Sequence, residues 1–259
     1  FYWKGNENRM NILAVNDDGI QSPGLAALVD SLSAVANVYV CAPDGQRSAK
    51  SHSVTLGQNV LVQPVRFPGA KEAYQISGTP ADCTKIGLQF FQETGIHIDM
   101  VYSGINMGSN LGRDTLYSGT VGAAAEADYL EYHGVAVSVD SHEAVHFETA
   151  GKLSVDVMDQ VFGKLDPSVV ISINVPNLPK EEIKGVKCVP LGDRYYDDKF
   201  HLTEGNRYML SGEPADFSGS GKEIDVTAAQ EGYAVITPLQ FDFTDYKNLE
   251  TVKKWGLNI

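Results

Sequence analysis

Cysteine is scarce in this chain. Cys41, Cys83 and Cys188 are the only three, they are scattered, and no CxxC pair occurs. An odd, dispersed set argues against a disulfide framework and against a thiolate zinc site, and it suits a reducing compartment. Long apolar runs are missing too. Stretches such as NILAV and VYV are strand-sized, well short of the roughly 20 residues that span a bilayer. No signal-peptide pattern opens the chain, so a cytoplasmic protein without a membrane partner is expected. Cations are outnumbered, 20 Lys and Arg against 33 Asp and Glu, for a net charge of −13. That balance opposes docking on a nucleic-acid duplex, whose phosphates require a cationic face. A small phosphate remains acceptable if a metal ion and backbone N–H groups supply the positive potential. His52, His97, His133, His142, His146 and His201 form no HExxH or similar pair, and neither a GxSxG elbow nor a Walker A lysine motif appears. Histidine-based zinc chemistry is therefore disfavoured, and two common hydrolase signatures are absent.

What is present is a long, well-patterned α/β sequence without repeats or low-complexity segments. The 259 residues, 43% of them apolar, can bury a substantial core in one large domain. FYWKGNENR before Met10 reads as an appended expression leader, residues 1–9, which leaves 10–259 as a single domain. Asn11–Val15 is a short apolar run, followed by the polar turn Asn16-Asp17-Asp18-Gly19. Ser22 and Pro23 then supply an N-cap and a first helical position, and Leu25, Leu28, Val29 and Leu32 recur at helical spacing. Val38–Cys41 is the next strand, and a polar loop runs from Ala42 to His52. Thr79-Pro80 starts a helix whose Cys83, Ile86 and Phe90 are expected to face the sheet. Ile98–Tyr102 is a strand, Gly119–Tyr132 an Ala-rich helix ended by Gly134, and Gly134–Val139 a strand. Leu153, Val157, Met158, Val161 and Phe162 mark a further helix before the strand Val169–Val175. Strands alternating with helices to about residue 178 predict a mostly parallel, doubly wound sheet. From about 183 to 237 the pattern changes to short β-like runs with no convincing helix, read as a β-hairpin excursion. A last helix is expected from about Leu249 to Trp255.

In an open parallel sheet, ligands bind at the carboxyl ends of the strands. Three polar loops leave strands at that edge: NDDGI at 16–20, the 42–52 loop, and SGINMGSNLG at 103–112. Asp17 and Asp18 repel each other, and a hard cation such as Mg²⁺ or Mn²⁺ would resolve the repulsion. One Asp supporting the turn or capping the helix is the plainer alternative. The glycines of SGINMGSNLG free backbone N–H groups to meet an anion, and its asparagines offer neutral oxygens, although an ordinary Gly/Asn loop has the same composition. Ser118-Gly119-Thr120 opens the Ala-rich helix and forms a natural phosphate seat, against simple capping by either hydroxyl. Arg47-Ser48-Ala49-Lys50-Ser51-His52 gathers hydroxyls and cations in one loop, where a solvated surface loop is the default.

Taken together, NILAVNDDGI, APDGQRSAKS, ISGTPADC, VYSGINMGSNLG, LYSGTVGAA, INVPNLP, RYYDDKF and EGYAVITPLQFDFTDY resemble the stationary-phase survival protein SurE family. They follow the family's order from Met10 to the C-terminus. The resemblance implies a metal-dependent 5′/3′-nucleotidase that hydrolyses nucleoside monophosphates, and polyphosphate as a further substrate, by way of a metal-activated water. It implies one Mg²⁺ or Mn²⁺ per subunit with Asp17, Asp18, Ser48 and Asn106 as ligands, Asp17 and Asp18 being also the catalytic pair. Asn110, Ser118, Gly119 and Thr120 are implied as phosphate contacts. It further implies a Rossmann-like three-layer core, a C-terminal β-hairpin exchanged between subunits, and a homodimer or homotetramer. One departure stands out: the family's loop reads close to APDRNRSG, whereas this chain has Gly45-Gln46 and Ala49 with Ser48 in place. Two rivals remain beside this reading. An aspartyl-phosphate phosphatase would use Asp17 as nucleophile, but Asp-Asp-Gly-Ile replaces its DxDx[TV] pattern. A regulatory nucleotide-binding module would hold the ligand without turnover. Tyr195, Tyr196, Phe200, Tyr208 and Phe217 crowd the β-rich segment and mark it as an assembly element, the alternative being that they pack on the chain's own core.

Overall fold

The computed structural model describes residues 9–215 and 223–257. Most of the proposed leader, and Phe217 of the aromatic set, lie outside the described residues. In chain order the elements are β1 (Asn11–Val15), α1 (Pro23–Ser33), β2 (Asn37–Pro43), β3 (Val62–Pro64), β4 (Glu72–Ile76), α2 (Pro80–Glu93), β5 (Met100–Met107), α3 (Gly119–Tyr129), β6 (His133–Asp140), α4 (Glu148–Lys164), β7 (Val170–Pro176), β8 (Val186–Cys188), β9 (Tyr195–Leu202), β10 (Tyr208–Ala215), α5 (Asp225–Gln230), β11 (Ala234–Leu239) and α6 (Tyr246–Lys253). Among the described residues, nine strands form one sheet in the order β3-β4-β2-β1-β5-β6-β7-β11-β8, and β9 pairs with β10 as a separate ribbon. The six strands from β4 to β7 in that order are parallel. β3 and β11 are the antiparallel additions, on β4 and β7.

Alternation along β1 builds the three layers. Ile12 and Ala14 pack with Leu25, Leu28 and Leu32 of α1 and with α4. Leu13 and Val15 point the other way, onto Cys83 and Phe91 of α2 and Ala123 of α3. Both faces of the sheet are covered, so its strands read as unbroken apolar runs rather than alternating ones.

α1 buries Leu25, Leu28, Val29 and Leu32, as their spacing predicts. α2 begins with a full capping box: Thr79 accepts from Asp82 N–H while the Asp82 carboxylate accepts from Thr79 N–H. Cys83 faces the sheet as expected and Phe90 meets Tyr74 of β4 at 4.8 Å between rings, but the most buried positions lie to one side of the expected stripe. Cys83, Leu88 and Phe91 are buried, whereas Ile86 and Phe90 are only partly so. The helix is turned because Phe91 packs on Tyr39 of β2 at 4.8 Å between rings. Gly87 also lies against Leu13, where a Cβ would come within 2.8 Å of Leu13 Cδ2. α3 ends before Gly134, at Tyr129, with Glu131 in the left-handed region at φ 65. Gly134 belongs to β6 instead, where a side chain would meet the Ala124 carbonyl at 2.3 Å.

The largest correction lies beyond residue 183. α5 is a helix that the sequence pattern did not show, and β8 and β11 rejoin the main sheet. Among the described residues, the β9–β10 ribbon stays apart from the main sheet. Arg9, placed with the leader by its position, donates to Ser33 O and Ala34 O at the end of α1, a favourable place for a cation.

Chain order decides where a ligand can sit. The connection after β1 leads to β2 on one side, and β5 then returns to the other side of β1. The carboxyl ends of β1 and β5 therefore form a topological switch point, where the flanking loops part and leave a crevice.

Candidate metal centre

Asn16 shapes the turn that follows β1. Its side-chain amide donates to Gly19 O at 2.9 Å, and its Oδ1 accepts from Gly19 N–H at 3.2 Å. Gly19 has φ +100, and a Cβ there would sit 3.0 Å from the backbone of Gly45. Both the conformation and the close approach require glycine. Ile20 N–H donates to Pro43 O at 2.8 Å and Arg47 N–H to Asp17 O at 2.7 Å, which ties this turn to the loop after β2.

Within that frame Asp17 and Asp18 differ sharply. Asp17 is 4% exposed and lies over the first turn of α3. Thr120 Oγ1 donates to Asp17 Oδ1 at 2.5 Å, and Gly119 leaves room for the carboxylate, since a Cβ there would fall 2.9 Å from Asp17 Oδ2. Burial raises the Asp17 carboxyl to about 6, opposed by the Thr120 hydrogen bond and reinforced by the charge of Asp18. Asp18 is half-buried and lines a cleft of about 340 Å³ together with Gly45, Gln46 and Met107. Met107 N–H donates to Asp18 Oδ2 at 3.1 Å. Burial raises the Asp18 carboxyl as well, while the Met107 hydrogen bond and the nearby His142 lower it.

The second wall comes from β5, which runs five residues past its expected end and takes in Ser103–Met107. A register irregularity between Ser103 and Asn106 re-aims the strand beside β6. Asn106 Nδ2 donates to Gly108 O at 2.7 Å, which leaves its Oδ1 as the available oxygen. The loop beyond is held inward. Gly108 N–H donates to Val139 O, Asn110 N–H to Asn174 Oδ1 at 2.8 Å, and Gly112 N–H to Asp225 Oδ2 at 2.7 Å. Asn110 Nδ2 donates to Ser138 Oγ at 2.8 Å, so this side chain sits in a buried polar network. The alternate N–H groups of the glycine loop thus serve the fold.

Ser118 caps α3 by accepting from Val121 N–H at 3.0 Å, and Thr120 is committed to Asp17. The Thr120 hydroxyl proton is thus spent on Asp17, whereas Ser118 caps as an acceptor and keeps its own O–H to donate to a phosphate. Asp17, Asp18, Asn106, Gly119 and Thr120 converge at the switch point. Asn110 and Ser118 lie beside them in buried hydrogen bonds, while the Ser48 side chain is exposed and bonds to neither Asp. His142 is the addition that motif reasoning passed over. A Cβ on Gly108 would meet its ring at 2.9 Å, and its charge reaches Asp18. Its place at the carboxyl end of β6, the same edge of the sheet, was the available signal.

Among the described residues, no group of three or more His, Cys, Asp or Glu side chains could hold a metal. A cation here would instead rest on two carboxylates and neutral oxygens, the donor chemistry of Mg²⁺ or Mn²⁺. The residues fit that role. Asp17 Oδ2, Asp18 Oδ1 and Asn106 Oδ1 each lack a side-chain donor. Burial of Asp17, reinforced by the charge of the adjacent Asp18, is also what raises its carboxyl. A larger groove of about 790 Å³ runs along α3 between His52 and Phe241 but includes neither Asp.

Fold and site together define a Rossmann-like α/β protein with an acidic, oxygen-donor centre at its switch point. The family model of the survival protein SurE matches residues 12–198, and the chain belongs to the SurE family. The curated 5′-nucleotidase SurE of Pelotomaculum thermopropionicum is 40% identical over 250 residues, 95% of each chain. That of Clostridium botulinum strain 657 is 38% identical over 96% of this chain and 100% of its own. The crystal structure of the SurE protein from Aquifex aeolicus superposes with a TM-score of 0.81 at 34% identity, covering 95% of this chain and 99% of the other.

Proposed function

We propose that the protein is a divalent-metal-dependent 5′-nucleotidase, a hydrolase that converts nucleoside monophosphates to nucleoside and phosphate. The carrying observation is the Asp17–Asp18 pair facing Asn106 at the switch point, with one oxygen of each left without a side-chain donor. The name 5′-nucleotidase borne by relatives that match nearly the whole chain supports the same reading. A bound Mg²⁺ or Mn²⁺ would neutralise the phosphate and lower the pKa of a water in its shell. Asp17, Asp18 and Asn106 would hold the ion, with Ser48 as the fourth ligand in this reading. One of the two Asp carboxylates takes the proton of the attacking water as the new P–O bond forms. The ester P–O bond then breaks, the same Asp returns its proton to the departing ribose oxygen, and phosphate leaves. The Asn110 and Ser118–Thr120 region stabilises the charge that develops on the phosphoryl oxygens. Polyphosphate is a further substrate in this reading, the cytoplasm is the compartment, and a homodimer or homotetramer is the assembly.

The test is turnover of a panel of 5′- and 3′-monophosphates by metal-stripped protein, with and without Mg²⁺ or Mn²⁺. We expect turnover only with added metal, because oxygen-only sites release hard cations readily. Full turnover in chelator would exclude the metal reading. A trapped phosphoenzyme would transfer the first step from water to an Asp.

A further inference from the structure

Asp225 is 1% exposed, stands at the first position of α5 and lies far along the chain from NDDG, yet its carboxylate reaches into the candidate site's framework. Its Oδ2 accepts from Gly112 N–H at 2.7 Å, and its Oδ1 accepts from Gly192 N–H at 2.7 Å and from Val226 N–H at 2.8 Å. Gly112 closes the glycine loop that carries Asn106 and Asn110. Two further contacts clamp the same place. Arg113 N–H donates to Arg194 O at 3.2 Å, and Arg194 Nη1 donates to Ser109 Oγ at 3.3 Å. Gly112 has φ +55, and a Cβ on it would sit 2.7 Å from Arg194 Cβ, so the two segments touch without an intervening side chain. Leu111 plugs the apolar cluster formed by Val189, Ile224 and Val226.

A buried carboxylate is costly unless its oxygens are hydrogen-bonded. Here two of the three donors come from loops outside α5. A capping role would be met by Val226 N–H alone. We propose that Asp225 is a positioning residue for the metal and phosphate loop, and that it acts through Gly112 on Asn106 and Asn110. This rests on the nucleotidase reading of the site. The C-terminal excursion is then part of the catalytic framework at its root, while the ribose-phosphate chemistry stays with the loops of the sheet edge.

The experiment compares Asp225→Ala, Asp225→Asn and the control Ile224→Ala, which thins the same apolar cluster but keeps the carboxylate. Outer residues that orient a metal site typically cost about 10–100-fold in metal affinity or activity when removed. We therefore expect Asp225→Ala to raise the Mn²⁺ concentration for half-maximal turnover at least about tenfold. The kcat at saturating Mn²⁺ and substrate should stay within about threefold, because the reacting groups are untouched. Hydrogen exchange of metal-free protein should speed up at residues 109–113 by at least about tenfold. Asp225→Asn, which keeps one carbonyl acceptor, should fall between wild type and Asp225→Ala, and it carries the test if the alanine variant does not fold. Ile224→Ala should lower the melting temperature while leaving Mn²⁺ half-saturation within about twofold. A folded Asp225 variant with wild-type half-saturation, or an equal shift in Ile224→Ala, overturns the proposal. If the wild-type protein shows no metal-dependent turnover, the nucleotidase reading fails by itself. Exchange at 109–113 then decides: localised acceleration supports the positioning role, and unchanged exchange overturns it.

Discussion

Two neighbouring carboxylates of one type acquire different characters from their surroundings. Asp17 is sealed between Thr120 and Gly119, and burial lifts its carboxyl to about 6. Asp18 opens onto the cleft and is restrained by a single backbone donor, Met107 N–H. Asp17→Asn removes a charge whose desolvation opposes folding, so that variant should be at least as stable as wild type while losing metal-dependent turnover by about two orders of magnitude or more. Asp18→Asn should lose turnover similarly and alter stability less, being partly solvated. Thermal melting beside turnover at saturating Mn²⁺ checks both. Wild-type turnover by either folded variant removes that Asp from the site. The pair itself was legible in NDDGI, because adjacent carboxylates after an apolar strand are unusual. The asymmetry was not, because Thr120 lies 103 residues away in sequence.

At the scale of elements, the N-terminus of α2 is the strongest local signal and also a pH-sensitive one. Asp82 accepts from Thr55 N–H at 3.0 Å, Thr55 Oγ1 at 2.6 Å and Thr79 N–H at 2.8 Å. Burial alone would raise its carboxyl, but these hydrogen bonds outweigh it and hold the pKa below the usual carboxylate value. A depressed folded-state pKa contributes stability above the unfolded value, about 3.9, and loses it as pH falls through the folded value. Asp82→Asn should therefore cost about 1.5–3 kcal/mol at pH 7, the range for hydrogen bonds to a charged group. The gap to wild type should narrow below about pH 4. Urea unfolding at both pH values measures it, and an undiminished gap in acid would assign the loss to shape rather than charge. Thr79-Pro80 announced this helix in the sequence and Cys83 its inner face, but Leu88 and Phe91, which are buried more fully than Ile86 and Phe90, were not singled out. Periodicity gives the width of an apolar stripe, whereas its rotation depends on what the neighbouring strand presents. Here that is Tyr39 for Phe91 and Leu13 for Gly87.

For the molecule as a whole, the β9–β10 ribbon pairs only with itself and leaves apolar side chains uncovered. Phe200 is 68% exposed, and Leu202, Tyr208, Met209 and Leu210 are exposed with it. A two-stranded ribbon is marginal alone and gains stability by packing against another surface, which a second copy of the chain would supply. Replacing residues 195–222 by a short Gly-Ser link, with Arg194 and Asp225 kept, should shift the protein toward monomer in sedimentation. Metal-dependent turnover should remain within about tenfold of wild type, since the sheet-edge loops are untouched. Native protein that sediments as a monomer at micromolar concentration would refute the assembly role. No helix among the described residues is long and apolar enough to cross a membrane, in keeping with the strand-sized apolar runs.

The sequence by itself determined the alternation of strands and helices, the parallel sheet, the acidic turn after β1 and the family. Each depends on contacts between residues close in the chain or on ordered motifs. Tertiary structure alone decided that β8 and β11 rejoin the sheet, that α5 exists and that Asp225 grips Gly112. α5 is only six residues long, too short to show a helical period or to be stable in isolation. It forms because Ile224, Val226 and Ala229 find Leu111 and Val235 across the fold. A carboxylate that bonds a backbone N–H more than a hundred residues away leaves no local pattern, because any acceptor placed there by the packing would serve.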